Sequence, residues 1–540
     1  MSVDIPRAVG QKLLFAFKGM DDIPPGIVQM FKTCHPGGVT LFRSLNMGSP
    51  QQIRSLTDSL QRLARELDMP PLLIATDQEG GQLMAVGDGT PLPGNMALGA
   101  TRSSELARKA GEVLGRELSA LGINVDYAPC ADVNVNPENP VVGTRSFGED
   151  PELVAYMTAA MIKGIQSQGV AATVKHFPGH GDTASDSHHG PGTVPHSLER
   201  LHAVELPPFK AALGADAKMV MTAHLGIPSI DGPDAPPATL SPNVINGLLR
   251  RDLGFDGVVV TDALDMRAIR QGELLREDAV LAANAGADLL LVTSDPLDQA
   301  RVFEALVNGV QTGQLMLDEL QASVARITRL KTWLSENATQ PDLSVVRSDA
   351  HMKVADEIAE ASITLVRDHA MLLPLRLDDD KRIAVIVPTP QDLTPADTSS
   401  YVQPRIADFI REYHARTDGF NVSYSPDEQE VASMLERMRG YDVIIAGTIN
   451  AYAGEKQAEF IRQLLRFGKP VVIVAMRLPY DLAAFPRAST YLCTYSILEP
   501  SMRAAANAIF GFGEMKGRLP VSIPGMYEAG HSTSEISQGS

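Results

Sequence analysis

Along the first 330 or so residues one pattern recurs: a short β-branched or leucine-rich run, a break of Gly, Pro or Asp, then apolar positions at helical spacing. Eight such apolar runs occur: KLLFAF (12–17), GVTLF (38–42), LLIAT (72–76), NVDYA (124–128), AATVK (171–175), KMVMTA (218–223), GVVVT (257–261) and DLLLV (288–292). Helix-like segments such as SPQQIRSLTDSLQRLAREL and SSELARKAGEVLGRELSALG lie between them. Strands that alternate with helices pair in parallel, and eight repeats is the number that closes a barrel. The expected fold class is α/β, with a (β/α)8 TIM-type barrel over residues 1–335. A doubly wound open sheet is the alternative that the pattern also allows.

The rhythm stops at the polar stretch SENATQPDLSVVRSDAH, and residues 336–355 read as a linker. Beyond it RIAVIVP (382–388), YDVIIAGT (441–448), PVVIVAMR (470–477) and TYLCTYS (490–496) alternate with helical patterns. They predict a smaller α/β sandwich domain over 356–530. It holds neither GxGxxG nor GxxxxGK[ST], so no nucleotide is assigned to it. Residues 531–540 have the composition of a flexible tail.

A catalytic barrel carries its polar groups just past the strand C-termini. The chain does so repeatedly: Asp77 follows the third run, Asp132 comes soon after the fourth, Lys175 and His176 end the fifth, His224 follows the sixth and Asp262 the seventh.

The net charge of −18 argues against nucleic acid or an anionic membrane as partner, since both require a basic face. With three scattered cysteines and no CxxC pair, no disulfide framework is expected, and the chain reads as cytoplasmic. The opening MSVDIPRAVG has no secretory pattern, and no apolar stretch approaches the roughly 20 residues that span a bilayer.

The run KHFPGHGDTASDSHHG (175–190) is rich in imidazole, and residues 176–202 hold six of the chain's twelve histidines. A metal site is one reading, but Pro178 and Gly179 break the helix that would bring His176 and His180 onto one face. The other reading is an Asp186/His188 pair, two apart in extended chain, with the carboxylate orienting an imidazole as a proton shuttle. Asp262, in GVVVTDALDM, follows a wholly apolar strand, where a carboxylate must be used or hydrogen-bonded. At a barrel mouth it can attack an anomeric carbon. Asp265, a turn later, is expected to help begin the next helix. In ATDQEGG, Asp77 or Glu79 offers a carboxylate to sugar hydroxyls, and Arg145 in GTRSFGED adds a donor.

Taken together, KHFPGHGDTASDSHHG, DQEGG, TRSFGEDP and GFDGVVVTDALDM resemble the family 3 glycoside hydrolases, specifically their β-N-acetylglucosaminidase branch. The resemblance runs from residue 10 to about 330 and extends more loosely into the second domain. It implies Asp262 as nucleophile, His188 as acid/base assisted by Asp186, and Asp77, Arg145, Lys175 and His176 as sugar-binding residues. It also implies a retaining exo-enzyme that releases N-acetylglucosamine from peptidoglycan fragments or chitin-type oligosaccharides, with no cofactor and no metal. Two departures stand out. Gln82 and Ala85 occupy positions where many members carry basic residues, so one sugar contact is lost or supplied elsewhere. The loop also continues HHGPGTVPHS, where a Leu-Pro pair is usual.

Three rivals remain: a phosphorylase using the same residues, a metal-dependent barrel hydrolase, and a carbohydrate-binding scaffold without catalysis. Gly179, Gly181, Gly190 and Gly192 bracket the Asp186/His188 pair and are candidate hinges of a lid.

Overall fold

A computed structural model describes residues 4–183 and 192–533. Each of the eight runs becomes a strand: β1 (Leu13–Phe15), β2 (Gly38–Thr40), β3 (Leu73–Thr76), β4 (Val125–Asp126), β5 (Ala171–Phe177), β6 (Met219–Thr222), β7 (Val258–Thr261) and β8 (Leu290–Val292). They pair in parallel in the order β7-β6-β5-β4-β3-β2-β1-β8. A bridge between Val260 and Leu289 joins β7 to the start of β8, so the sheet closes on itself as a barrel. Every residue of the eight strands is buried, the reason these runs lack the alternation of a half-exposed strand.

The intervening helices begin where the sequence supplies a cap. Ser49 accepts from the Gln52 amide ahead of Pro50–Glu66, Ser103 from Leu106 ahead of Ser104–Ala120, and Asp150 from Glu152 ahead of Pro151–Gln166. The N-terminal mouth of the barrel is plugged. Ile327, Leu330 and Leu334 of the helix Leu317–Asn337 pack with Leu14, Leu73, Val125 and Met219 from the strands.

A second sheet contains β9 (Thr364–Asp368), β10 (Ile383–Pro388), β11 (Thr417–Val422), β12 (Val443–Thr448), β13 (Val471–Ala475) and β14 (Thr490–Cys493). Its order is β9-β14-β13-β12-β10-β11, with β9 alone antiparallel. Its four inner strands are the four expected runs. The two edge strands carried no comparable signal, because β11 is the half-exposed sequence TDGFNV and β9 is a short TLVRD.

The stretch read as a linker, 336–355, contains a 3-10 turn at Leu343–Val345 and the first half of the helix Asp349–Ser362, capped by Ser348. Of the expected tail, His531 and Thr533 bond to the Val366 and Leu365 carbonyls, at 2.9 and 3.0 Å; residues 534–540 lie outside the described residues.

The two sheets share buried surface. Met96, Ala97 and Ala100 of the helix Asn95–Thr101, which belongs to the barrel half, pack with Val366, Tyr495 and Leu519. Glu149 accepts from the Ser522 amide and hydroxyl at 2.8 and 2.6 Å. No helix among the described residues is long and apolar enough to cross a membrane.

Candidate active site

A cavity of about 590 Å³ opens at the C-terminal ends of the barrel strands, and Asp77, Arg145, Lys175, His176 and Asp262 all line it. Asp77 is the first residue past β3, and Lys175 and His176 lie in β5. Asp262 is the first residue past β7, and Arg145 closes the 3-10 turn Gly143–Arg145, whose last carbonyl accepts from Asn95 at 2.7 Å. Asp186 and His188 lie outside the described residues, as does most of the expected lid.

Three of these groups form one ionic chain with Glu79. Lys175 Nζ is 2.6 Å from Asp77 Oδ1 and 2.6 Å from Glu79 Oε1. Arg145 grips Glu79 with both arms of its fork, Nη2 to Oε1 at 2.7 Å and Nε to Oε2 at 2.9 Å. Burial alone would push the Glu79 carboxyl up, but Arg145 and Lys175 outweigh it and hold it down at about 2. Burial likewise works against the Lys175 ammonium, and the Asp77 and Glu79 carboxylates more than offset it, so its pKa is raised. DQEGG therefore offers its two carboxylates to different tasks. The Glu79 side chain is 1% exposed and neutralises the floor, whereas Asp77, at 22%, faces the cavity.

A second relay supports His176. Its Nδ1 is 2.7 Å from Asp132 Oδ2, and Arg145 Nη2 approaches Nε2 at 3.4 Å. A guanidinium can only donate, which assigns Nε2 as acceptor and puts the ring proton on Nδ1, facing Asp132. Asp132 Oδ1 also accepts from the His176 and His180 amides at 3.3 and 2.7 Å. Burial raises the Asp132 carboxyl, and these partners, His176 foremost, bring it net below its ordinary value.

Asp262 stands on the other side of the cavity, its Oδ1 accepting from the Ala263 amide at 2.8 Å. His224, expected at the same face, is buried behind it: its ring nitrogens lie 2.7 Å from Thr239 Oγ1 and 3.0 Å from the Ala263 carbonyl. It buttresses the Asp262 turn and does not line the cavity. Asp265 corrects an expectation: no helix begins there, the next ones being Gly272–Leu274 and Leu275–Ala285, and its side chain lines the cavity instead. The chain from 262 to 271 stays in turns because the Gln271 side-chain amide ties down the carbonyls of Leu264, Met266 and Ile269.

Two glycines named as hinges are close-packing positions. A Cβ on Gly179, at φ +135°, would lie 2.8 Å from Glu205 Cβ, and one on Gly181 would sit 1.8 Å from the Val133 carbonyl oxygen.

The sequence reading missed one whole wall. Asp392, Pro395, Ala396, Asp397, Thr398 and Tyr401, from the segment after β10, reach over the barrel mouth and line the cavity. Gln82 is what they dock on. Its carbonyl accepts from the Thr398 amide at 2.8 Å and hydroxyl at 2.9 Å, and its side-chain Oε1 accepts from Thr144 at 2.6 Å and from Arg477. Arg477, just past β13, also pairs with buried Asp397 at 2.8 Å. Arg43 lies over the Tyr401 ring at 4.2 Å and completes the rim. The departure at Gln82 was the one available signal: a position that holds no charge for sugar holds the second domain.

Two groups of side chains have the spacing of metal ligands among the described residues: Cys130, Asp132 and His176, and Asp182, His196 and Glu205. In the first, burial pushes the Cys130 thiol well up, so it stays a thiol and donates to Asp132 at 3.2 Å. A protonated thiol is a poor ligand.

The fold and this pocket define a class: a barrel enzyme with carboxylates and cations converging at the strand C-termini, roofed by a second α/β domain. Family models described as the glycosyl hydrolase family 3 N terminal domain and C-terminal domain match residues 20–330 and 363–537. The chain is 31% identical to "Beta-hexosaminidase A" of Pseudoalteromonas piscicida, over 96% of both chains. It superposes on a family 3 β-N-acetylglucosaminidase from Paenibacillus sp. str. FPU-7 with a TM-score of 0.90 and 37% identity, covering 96% of this chain and 99% of that one. A structure titled "Beta-glucoside phosphorylase BglX bound to 2FGlc" matches at TM-score 0.80 and 26% identity, over 96% and 94%. The chain belongs to glycosyl hydrolase family 3, and it is a glycoside hydrolase.

Proposed function

We propose that the protein is a retaining exo-β-N-acetylglucosaminidase, acting on the non-reducing end of peptidoglycan fragments or chitin-type oligosaccharides. The observation that carries this is the placement of Asp262 across one cavity from the Asp77–Lys175–Glu79–Arg145 chain. Asp262 attacks C1 and forms a covalent glycosyl intermediate. His188, oriented by Asp186, protonates the leaving oxygen and then takes the proton of the incoming water. Asp77 accepts from sugar hydroxyls, while Lys175, Arg145 and His176 hold the ring against the floor. Glu79 touches no sugar and keeps those cations compensated. The names of the Pseudoalteromonas and Paenibacillus proteins support the amino sugar.

Transfer to phosphate is the second reading, favoured by the likeness to the β-glucoside phosphorylase. A neutral imidazole acid/base does not repel an incoming phosphate as a carboxylate does. Incubation with a chromogenic N-acetylglucosaminide beside the matching glucoside, each with and without phosphate, tests both. The expected products are free N-acetylglucosamine from the first and little turnover of the second. Sugar 1-phosphate as main product would transfer the reading to phosphorolysis, and preference for the glucoside would overturn the amino-sugar assignment.

A further inference from the structure

Three side chains converge beside the turn that leaves β5, away from the cavity. A ring nitrogen of His196 and one carboxylate oxygen each from Asp182 and Glu205 lie within 4.8 Å of one another. His196 Nε2 sits 2.7 Å from Asp182 Oδ2. Arg200 closes one side, with Nη1 2.8 Å from Glu205 Oε1 and Nη2 3.4 Å from Asp182 Oδ2.

One atom stands out. Glu205 is 3% exposed, and its second oxygen, Oε2, is buried with no hydrogen-bond partner among the described residues. A buried carboxylate oxygen without a donor is costly, and proteins rarely leave one so unless something else binds it. Gly179 lets the turn close down directly on Glu205. Arg200 brings a single positive charge against the Asp182 and Glu205 carboxylates.

We propose that Asp182, His196 and Glu205 form a binding site for a divalent cation of the zinc class. Glu205 Oε2, an Asp182 oxygen and His196 Nε2 are the ligands, and Arg200 holds Glu205 Oε1 from outside. One imidazole with two carboxylates suits Zn2+, Co2+ or Mn2+, whereas Mg2+ and Ca2+ prefer all-oxygen sets. Three protein ligands leave a fourth position for water. Bonds of about 2.0–2.1 Å at tetrahedral angles put ligand atoms roughly 3.3 Å from each other, so His196 and Asp182 spread from their 2.7 Å contact to admit the ion. His196 exchanges its hydrogen bond to Asp182 for the metal, and Arg200 keeps its grip on Glu205, as outer partners of metal ligands do. Asp182 and His196 flank residues 184–191 in sequence, so the cation ties both ends of the segment that carries Asp186 and His188 to Glu205.

The test is titration of the full-length, chelator-stripped protein with Co2+ and Zn2+, followed by calorimetry and the visible spectrum of cobalt. We expect one equivalent per chain and a rise in Tm with the metal. Affinity should fall at least about 100-fold in His196→Ala and in Glu205→Gln, beyond the 10–100-fold typical of outer-sphere changes. His196 is partly exposed, so its variant stays informative if Glu205→Gln folds poorly. Absence of saturable binding, or binding that His196→Ala leaves unchanged, overturns the proposal. A sulfur-to-cobalt charge-transfer band overturns it too, by placing the ion at Cys130.

Discussion

The barrel carries a buried ionic cluster at each end, and the two are built from the same parts. At the C-terminal end Lys175, Arg145, Glu79 and Asp77 form the floor of the cavity. At the N-terminal end Asp288 accepts from Arg250 at 2.7 Å and Arg326 at 2.9 Å, beside Lys12, whose Nζ donates to the Ala287 carbonyl at 2.8 Å and Ser323 at 2.6 Å. Both hold a fully buried lysine, and both satisfy shared carboxylates with arginines. The first opens at the strand C-termini onto the cavity that Asp77 and Asp262 line, whereas the helix Leu317–Asn337 lies across the other mouth, where Arg326 of the cluster reaches a cleft beside Trp333. Perturbed, buried charge therefore does not by itself mark a site. Access from solvent and a side chain facing it, here Asp77 and Asp262, separate a working cluster from a structural one.

The largest effect that distinguishes the ends is expected at Asp262. Asp262→Asn should lower kcat by several orders of magnitude while leaving Tm near wild type, since the amide cannot act as nucleophile. Turnover of a chromogenic substrate near the wild-type rate would remove Asp262 from the chemistry.

Removing the shared anion at each end comes next. Glu79→Gln and Asp288→Ala should each destabilise by about 3–5 kcal/mol, because each strands buried cations. Their activities should part. Per folded molecule, Asp288→Ala keeps wild-type kcat/KM, whereas Glu79→Gln loses it together with the alignment of Arg145 and Lys175. Denaturant unfolding beside active-site titration reads both, and equal activity losses would dissolve the distinction.

A pH effect between 8 and 10.5 comes from the closed end. Burial lowers Lys12 from its usual 10.5 to about 8. A base with a depressed pKa in the fold is stabilising above its unfolded value and loses that contribution as pH falls through the folded one. Wild type should thus gain up to about 3 kcal/mol relative to Lys12→Met between pH 8 and 10.5. A constant difference between the two proteins across that window would contradict the assignment.

The smallest change concerns the roof. Thr398→Ala loses the hydroxyl contacts to the Gln82 carbonyl and the Met84 amide. It should cost about 1 kcal/mol and raise KM by less than tenfold at unchanged kcat. A fall in kcat with KM fixed would instead bring the second domain into the chemical step.

Periodicity alone determined the eight barrel strands and the four inner strands of the second sheet, because buried parallel strands must be continuous apolar runs. It also placed Asp77, Lys175, His176 and Asp262 at one end, since strand direction fixes which flank of each run faces the mouth. Edge strands escaped it, as TDGFNV buries too little to carry a pattern. Which carboxylate of DQEGG meets the cavity was decided only in three dimensions, where Arg145 and Lys175 arrive from distant segments and claim Glu79. The docking role of Gln82 and the wall from Asp392 to Tyr401 were likewise tertiary facts. Contacts between residues some 300 positions apart leave no trace in local hydrophobic spacing, and only packing of the two sheets brings them together.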